Sequence, residues 1–275
     1  MNRRIVPLSG SKKWRRLLLS AQIVLIAACG RSASVDKASP SAQLISPVPS
    51  QPRDLASALP SASAPSQLPS NFDAYPWLSD PTIQSLAPVE SLASRFAPPS
   101  GFTRVTVSAN SFGAWLRNLP LTKADEPVRS HHGKVLLPHD HPNIASVVAL
   151  DIGAADLQQC ADAVIRLHAE WQWSQGVRNI GYEAASRAAM PFERWAKGER
   201  PSPKGQSIVW EAKGAKPNAD HGSFRKFLDS VFMFTNTVAL ARQAKPVALD
   251  SIRPGDFVVQ GGNPIGASIR AASDR

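Results

Sequence analysis

Apolar and polar residues alternate along residues 102–107 (FTRVTV), a period of two that predicts a half-buried strand. Asn110 and Ser111 then supply side-chain oxygens to cap a short helix through Trp115, which Pro120 ends. Residues 122–143, rich in His, Pro and charge, read as an excursion before the next apolar run. That run, 144–152, is mostly β-branched and small and predicts a central strand, broken by Gly153. The best-defined helix is predicted from Asp156 to about Trp173, because Leu157, Cys160, Ala161, Val164, Leu167, His168 and Trp171 recur at spacings of three and four. Its opposite side carries Gln158, Asp162, Arg166 and Glu170, of which Arg166 and Glu170 stand one turn apart and can pair. A second amphipathic helix, from 223 to about 243, presents Phe224, Phe227, Leu228, Val231, Phe234 and Val238. Short strands at 207–211 and 257–260 complete the inventory. No repeat of roughly 20–50 residues recurs, which argues against solenoids and propellers. The predicted fold class is α+β (or α/β): a single mixed domain at 71–275 with a small β-sheet and two long amphipathic helices.

The N-terminus has a different pattern. A basic segment ending Lys12-Lys13-Trp14-Arg15-Arg16 precedes the twelve-residue apolar run 17–28, and Ala27-Ala28-Cys29 follows with small residues before the cysteine. A run this short fits the core of an export signal better than the roughly 20 residues of a membrane span. Residues 1–28 therefore read as a lipoprotein signal peptide, with Cys29 as the lipid attachment residue. Gly30, rather than Asp, follows the cysteine, which by analogy with Gram-negative sorting favours the outer membrane, facing the periplasm. Residues 30–70 hold 11 Ser, 7 Ala and 7 Pro in 41 positions, with scarcely any aromatic or charged side chains. Such a stretch is predicted to be a disordered stalk reaching about 35 Å.

Charge changes its meaning once it is located. The formal net charge of the 275-residue chain is +10, but six uncompensated basic residues precede residue 29, and without them +4 remains. That is a weak case for nucleic acid, and the partner expected from the N-terminal pattern is the membrane, through the lipid. A 43% apolar share with 7 Trp and 10 Phe can build an ordinary core.

Three features invite a chemical reading. His131, His132, His139 and His141 are dense, but their spacing in a Pro-rich loop is no metal motif, and neither metal nor cofactor is expected. Gly261-Gly262 lacks the following Lys-Ser or Lys-Thr of a phosphate loop and reads as a tight turn. Cys160 stays open between two readings: a small apolar residue on the inner face of its helix, or a nucleophile whose thiolate the helix dipole favours.

The stretches 110–121 (NSFGAWLRNLPL), 156–167 (DLQQCADAVIRL) and 254–264 (PGDFVVQGGNP) resemble the signatures of one bacterial lipoprotein family, the domain-of-unknown-function family 4846, over about residues 95–264. Within that pattern, Gln-Cys at a helix start, then Gly-Asp, a strand and a Gly-His on the next strand, is similar to papain-like wall amidases of the CHAP type. The resemblance implies a papain-like fold, Cys160 as the nucleophile of an amide-cleaving enzyme acting on peptidoglycan, and a histidine as its base. Gln159, Cys160, Gly255 and Asp256 match the pattern, and the histidine does not. Where the family continues Pro-Gly-His-Ala and an apolar strand, this chain reads Pro264-Ile265-Gly266-Ala267-Ser268-Ile269-Arg270. A truncation or frameshift after 264 is expected, with loss of a strand and of the base for Cys160. The leading expectation is thus a lipid-anchored envelope protein with no demonstrated catalytic role. A cysteine amidohydrolase and an envelope scaffold or binding module are the alternatives.

Overall fold

The computed structural model describes residues 72–260 and the backbone of two further strands, Arg4–Pro7 and Gly266–Ile269. Cys29, the stalk and Gly261-Gly262 lie outside the described residues. In chain order the elements are β1 (Arg4–Pro7), α1 (Pro76–Ser79), β2 (Glu90–Ser91), α2 (Leu92–Arg95), α3 (Phe112–Arg117), β3 (Pro120–Leu121), β4 (Val128–Arg129) and β5 (Val135–Leu137). Then follow α4 (Cys160–Ser174), β6 (Gly181–Glu183), β7 (Ala189–Pro191), α5 (Phe192–Ala196), β8 (Glu199–Lys204) and β9 (Ser207–Ala212). The remainder is α6 (His221–Phe234), α7 (Thr237–Arg242), β10 (Lys245–Pro246), β11 (Phe257–Gln260) and β12 (Gly266–Ile269). The class is α+β, as the hydrophobic pattern predicts. One four-stranded sheet has the order β10-β1-β11-β12, and four two-stranded ribbons accompany it.

Helix α4 organises the domain. Its Ala161, Val164, Ile165, Ala169 and Trp173 enter a core with Phe192, Phe224, Phe227 and Val231, while its Leu167 enters another with Tyr75, Trp77, Trp115, Leu116 and Leu121. A helix with a core on each side is buried all round and has no solvated face. That corrects the expected polar side: Arg166 and Glu170 do pair, but both are fully buried. In the first core Trp173 stacks on Phe224 with ring centroids 4.6 Å apart, and Phe192 meets Phe224 edge-on at 5.1 Å. Fully burying side chains of this kind stabilises by about 1.5–3 kcal/mol each. In the second core the Trp77 indole N–H donates to Ala149 O at 2.6 Å, which seats the segment around α1 against residues distant in sequence.

Several boundaries move for local reasons. Helix α4 begins at Cys160, not Asp156, because the Asp162 carboxylate accepts the Gln159 N–H at 3.2 Å and makes Gln159 the N-cap. The second long helix is two: Thr235 is extended, and Asn236 caps α7 by accepting the Ala239 N–H at 2.8 Å. Ser111 caps α3, and the strands predicted at 207–211 and 257–260 are β9 and β11. The excursion at 122–143 contains the β4–β5 hairpin.

Two predicted strands are not formed. Residues 102–107 are irregular apart from a single bridge at Arg104, and residues 144–152 contribute only the bridge from Val148 to Leu121. The second run does bond along β3, with Thr122 N–H to Val147 O and Ala149 N–H to Pro120 O. Pro120 has no N–H to return, so the ladder stops there.

Two strands fall in segments expected to be absent from the folded domain. Backbone 4–7 lies parallel between β10 and β11, inside the stretch read as a signal peptide. Backbone 266–269 pairs antiparallel with β11, Val258 opposite Ser268, where the tail was expected to lose its strand.

Candidate functional site

Cys160 is the first residue of the fifteen-residue helix α4 and carries a free, half-buried thiol. The start of α4 is held by Asp162, whose burial raises its pKa to about 6 although it accepts the Gln159 N–H. β12 packs against α4, and β11, which follows Gly255 and Asp256, packs against α7. The four residues that match the amidase pattern thus fall into two places: Gln159 and Cys160 at the head of α4, Gly255 and Asp256 in the turn before β11.

The second of these places lines a cavity of about 240 Å³ that runs along the side of α4. Its wall comes from all three sequence blocks that carry the family resemblance: Phe112 and Gly113 of α3, Val164 and His168 of α4, and the turn 253–256. Val164 lies one turn beyond Cys160, and Cys160 itself is not part of the lining. Two glycines make the junction possible. A β-carbon on Gly113 would fall 2.5 Å from the Pro254 carbonyl oxygen. Gly255 has φ +98, and a β-carbon there would stand 3.2 Å from the Gly113 nitrogen. His168 is buried in this wall, edge-on to Phe112 at 5.4 Å and 5.5 Å from Trp171. Asp256, also buried, accepts the Arg253 N–H at 2.8 Å and so shapes the turn.

On another side of α4 runs a chain of buried charges that the hydrophobic pattern does not reveal. Asp80 Oδ2 lies 2.7 Å from His221 Nδ1, and His221 Nε2 lies 2.8 Å from Glu170 Oε2. Arg166 donates through Nε to Glu170 at 2.8 Å and through Nη2 to Asp151 at 2.6 Å, and Arg225 donates through Nε to Asp151 at 2.8 Å and also pairs with Asp229. Both imidazole nitrogens of His221 face carboxylates, so both donate and the ring is an imidazolium. Burial works against that charge, but Glu170 and Asp80 outweigh it and raise the His221 pKa. Asp151 is held below its ordinary range in the same way, burial being overcome by Arg166 and Arg225. With His221 charged, the buried members Asp80, His221, Glu170, Arg166, Asp151 and Arg225 are three acids and three cations, and the more exposed Asp229 at the Arg225 end is a fourth acid. Every acid is already matched, so the chain clamps α4, α6 and the segment around α1 together rather than offering a reactive group.

The histidines of the excursion lie apart from both features. His131 and His132 lie with ring centroids 3.8 Å apart, tilted at 46°, in the β4–β5 connection, and among the described residues no three of His, Cys, Asp and Glu gather as a metal site. Among the described residues no helix is long and apolar enough to cross a membrane. Sequence reasoning missed His221 and His168 as participants. For His221 the available signal was a cap: Asp220 accepts the Ser223 N–H at 2.7 Å, which places His221 at the first turn of α6.

Fold and site together define an α+β domain built around one buried helix, with a free thiol at its head and an aromatic-lined cavity along its side. The chain belongs to the domain of unknown function family 4846, whose signature matches residues 92–270. The match continues past Pro264 and takes in β12. No curated protein and no solved structure matches the chain.

Proposed function

We propose that this chain is a lipid-anchored protein of the bacterial cell envelope, held through Cys29, whose domain is laid out like a papain-type amidase with Cys160 in the nucleophile's place and no histidine to activate it. The anchor rests on the order of basic, apolar and small residues before Cys29, and the outer membrane on Gly30. The observation that supports the layout is the free thiol at the first residue of a central helix with an antiparallel strand pair, β11–β12, beside it. A thiol without a base to activate it is a poor nucleophile. The chain as it stands therefore binds envelope material, peptidoglycan first, without turning it over. On this reading β1 belongs to the precursor, and processing before Cys29 vacates its place between β10 and β11.

The test compares alkylation of Cys160 at neutral pH in the parent and in Ala267→His, which restores an imidazole to β12. The parent should react no faster than a denatured control and the variant faster. Equal rates in parent and variant would remove the papain-type layout.

A further inference from the structure

We infer that the cavity between α3, α4 and the 253–256 turn is a binding site for a small neutral aromatic molecule, one ring bearing a hydrogen-bonding substituent. The inference does not depend on the reading of Cys160, which is outside the lining.

The cavity is a built feature rather than a gap left by poor packing. Gly113 and Gly255 bring two segments into backbone contact, 2.5 Å from a notional β-carbon on Gly113 to the Pro254 oxygen, and that contact closes one wall. These two close approaches fix the backbone on this side of the cavity, and the side chains of α3, α4 and the 253–256 turn form the rest of its wall. Size limits the occupant. Aliphatic cavities of about 150 Å³ admit benzene, and drug-sized pockets begin at about 300 Å³. At about 240 Å³ this one admits a single substituted ring.

Chemistry narrows it further. The walls include Phe112, Trp171 and Tyr182, and Phe112 and Trp171 stand 5.4 Å apart at a tilt of 43°. At that separation the two rings are already in contact, so a bound ring packs against their cavity-facing surfaces, offset or edge-on at about 4.5–7 Å, and not between them. Polar lining is sparse, and it carries both signs: Asp256 and Arg253 share one turn, and His168 stands opposite on α4. Among the described lining residues no single charge is in excess, which favours a neutral ligand, and side chains of this kind can hydrogen-bond one substituent.

The test uses p-cresol as the probe, with benzylammonium and benzoate as charged comparisons, titrated into the purified full chain and followed by methyl NMR. Saturable shifts centred on the Val164 methyls, with a Kd of about 1 mM or tighter and affinity at least about tenfold above that of either charged probe, are expected. Val164→Phe, which fills the cavity, should weaken p-cresol by about tenfold or more. Should that variant misfold, intermolecular NOEs from the p-cresol ring to Val164 in the parent decide the matter instead. Absence of saturation, NOEs to other residues only, equal affinity for the charged probes, or undiminished binding to a folded Val164→Phe would each overturn the assignment.

Discussion

Replacing Glu170 by Gln takes one negative charge from the middle of the buried chain while preserving shape. Glu170 and Arg166 are both at 0% exposure, and Glu170 joins Arg166 to His221. After Glu170→Gln, Arg166 keeps only Asp151 as an acidic partner and His221 keeps only Asp80, and the buried members go from three acids against three cations to two against three, with the half-exposed Asp229 too far along the chain, beyond Arg225, to replace Glu170. Breaking a buried pair by removing one partner costs about 3–5 kcal/mol, because the other charge stays buried without compensation. Gln can still accept from the guanidinium, which puts the expected loss near the lower end, about 3 kcal/mol. Against a total stability of about 5–15 kcal/mol that is a large fraction. The pH dependence supplies a second readout. A raised His221 pKa means that the folded state holds the proton more tightly, so its contribution is complete below the ordinary value of 6.5 and is lost as pH rises through the raised one. Glu170→Gln weakens that grip, so the alkaline fall should be shallower in the variant. Urea denaturation followed by Trp fluorescence at pH values between about 6 and 9 measures both, since Trp173 lies 5.5 Å from the His221 ring. A loss below about 1 kcal/mol, or a pH slope equal to the parent's, would refute the idea that this chain is a buried, charge-matched clamp.

Other outcomes follow from the same structure. Asp162 is buried with a pKa raised to about 6 from 3.8, so stability present below about pH 4 is lost as pH climbs to 6; Asp162→Asn should gain about 3 kcal/mol on the parent between those limits, read from urea midpoints, and a constant difference would refute it. Gly113→Ala should cost about 1–3 kcal/mol, because its β-carbon must displace Pro254, whereas Gly181→Ala, at an ordinary φ and with a nearest contact of 3.3 Å, should cost less; equal thermal shifts for the two would count against the packing argument. Cys29→Ser should abolish incorporation of a labelled fatty acid, and equal label in parent and variant would end the lipoprotein reading. Removal of residues 1–28 should speed amide exchange in β10 and β11, the neighbours of β1, and unchanged exchange would show that the strand position is not vacated.

What could be read along the chain is what neighbours in sequence decide. The cap at Ser111, the three-and-four spacing of α4 and α6, and the short apolar runs of β9 and β11 are all consequences of contacts within a few residues. The three blocks of the family resemblance were legible as well, and the family follows from them. A strand, by contrast, needs a partner: residues 102–107 alternate as a strand should, yet they form no ladder, and 144–152 meets a β3 that Pro120 cuts short. Burial also belongs to the whole molecule. Arg166 and Glu170 have the spacing of a solvent-side pair, and only a second core on the far side of α4 makes them interior. His221 meets Asp80 across 141 residues and Glu170 across 51, and no local pattern encodes either approach. The cavity likewise exists because Gly113 and Gly255, far apart in the chain, allow two backbones to touch. Local periodicity selects the elements; the number of layers that pack on each element decides which of its polar groups must find a buried partner.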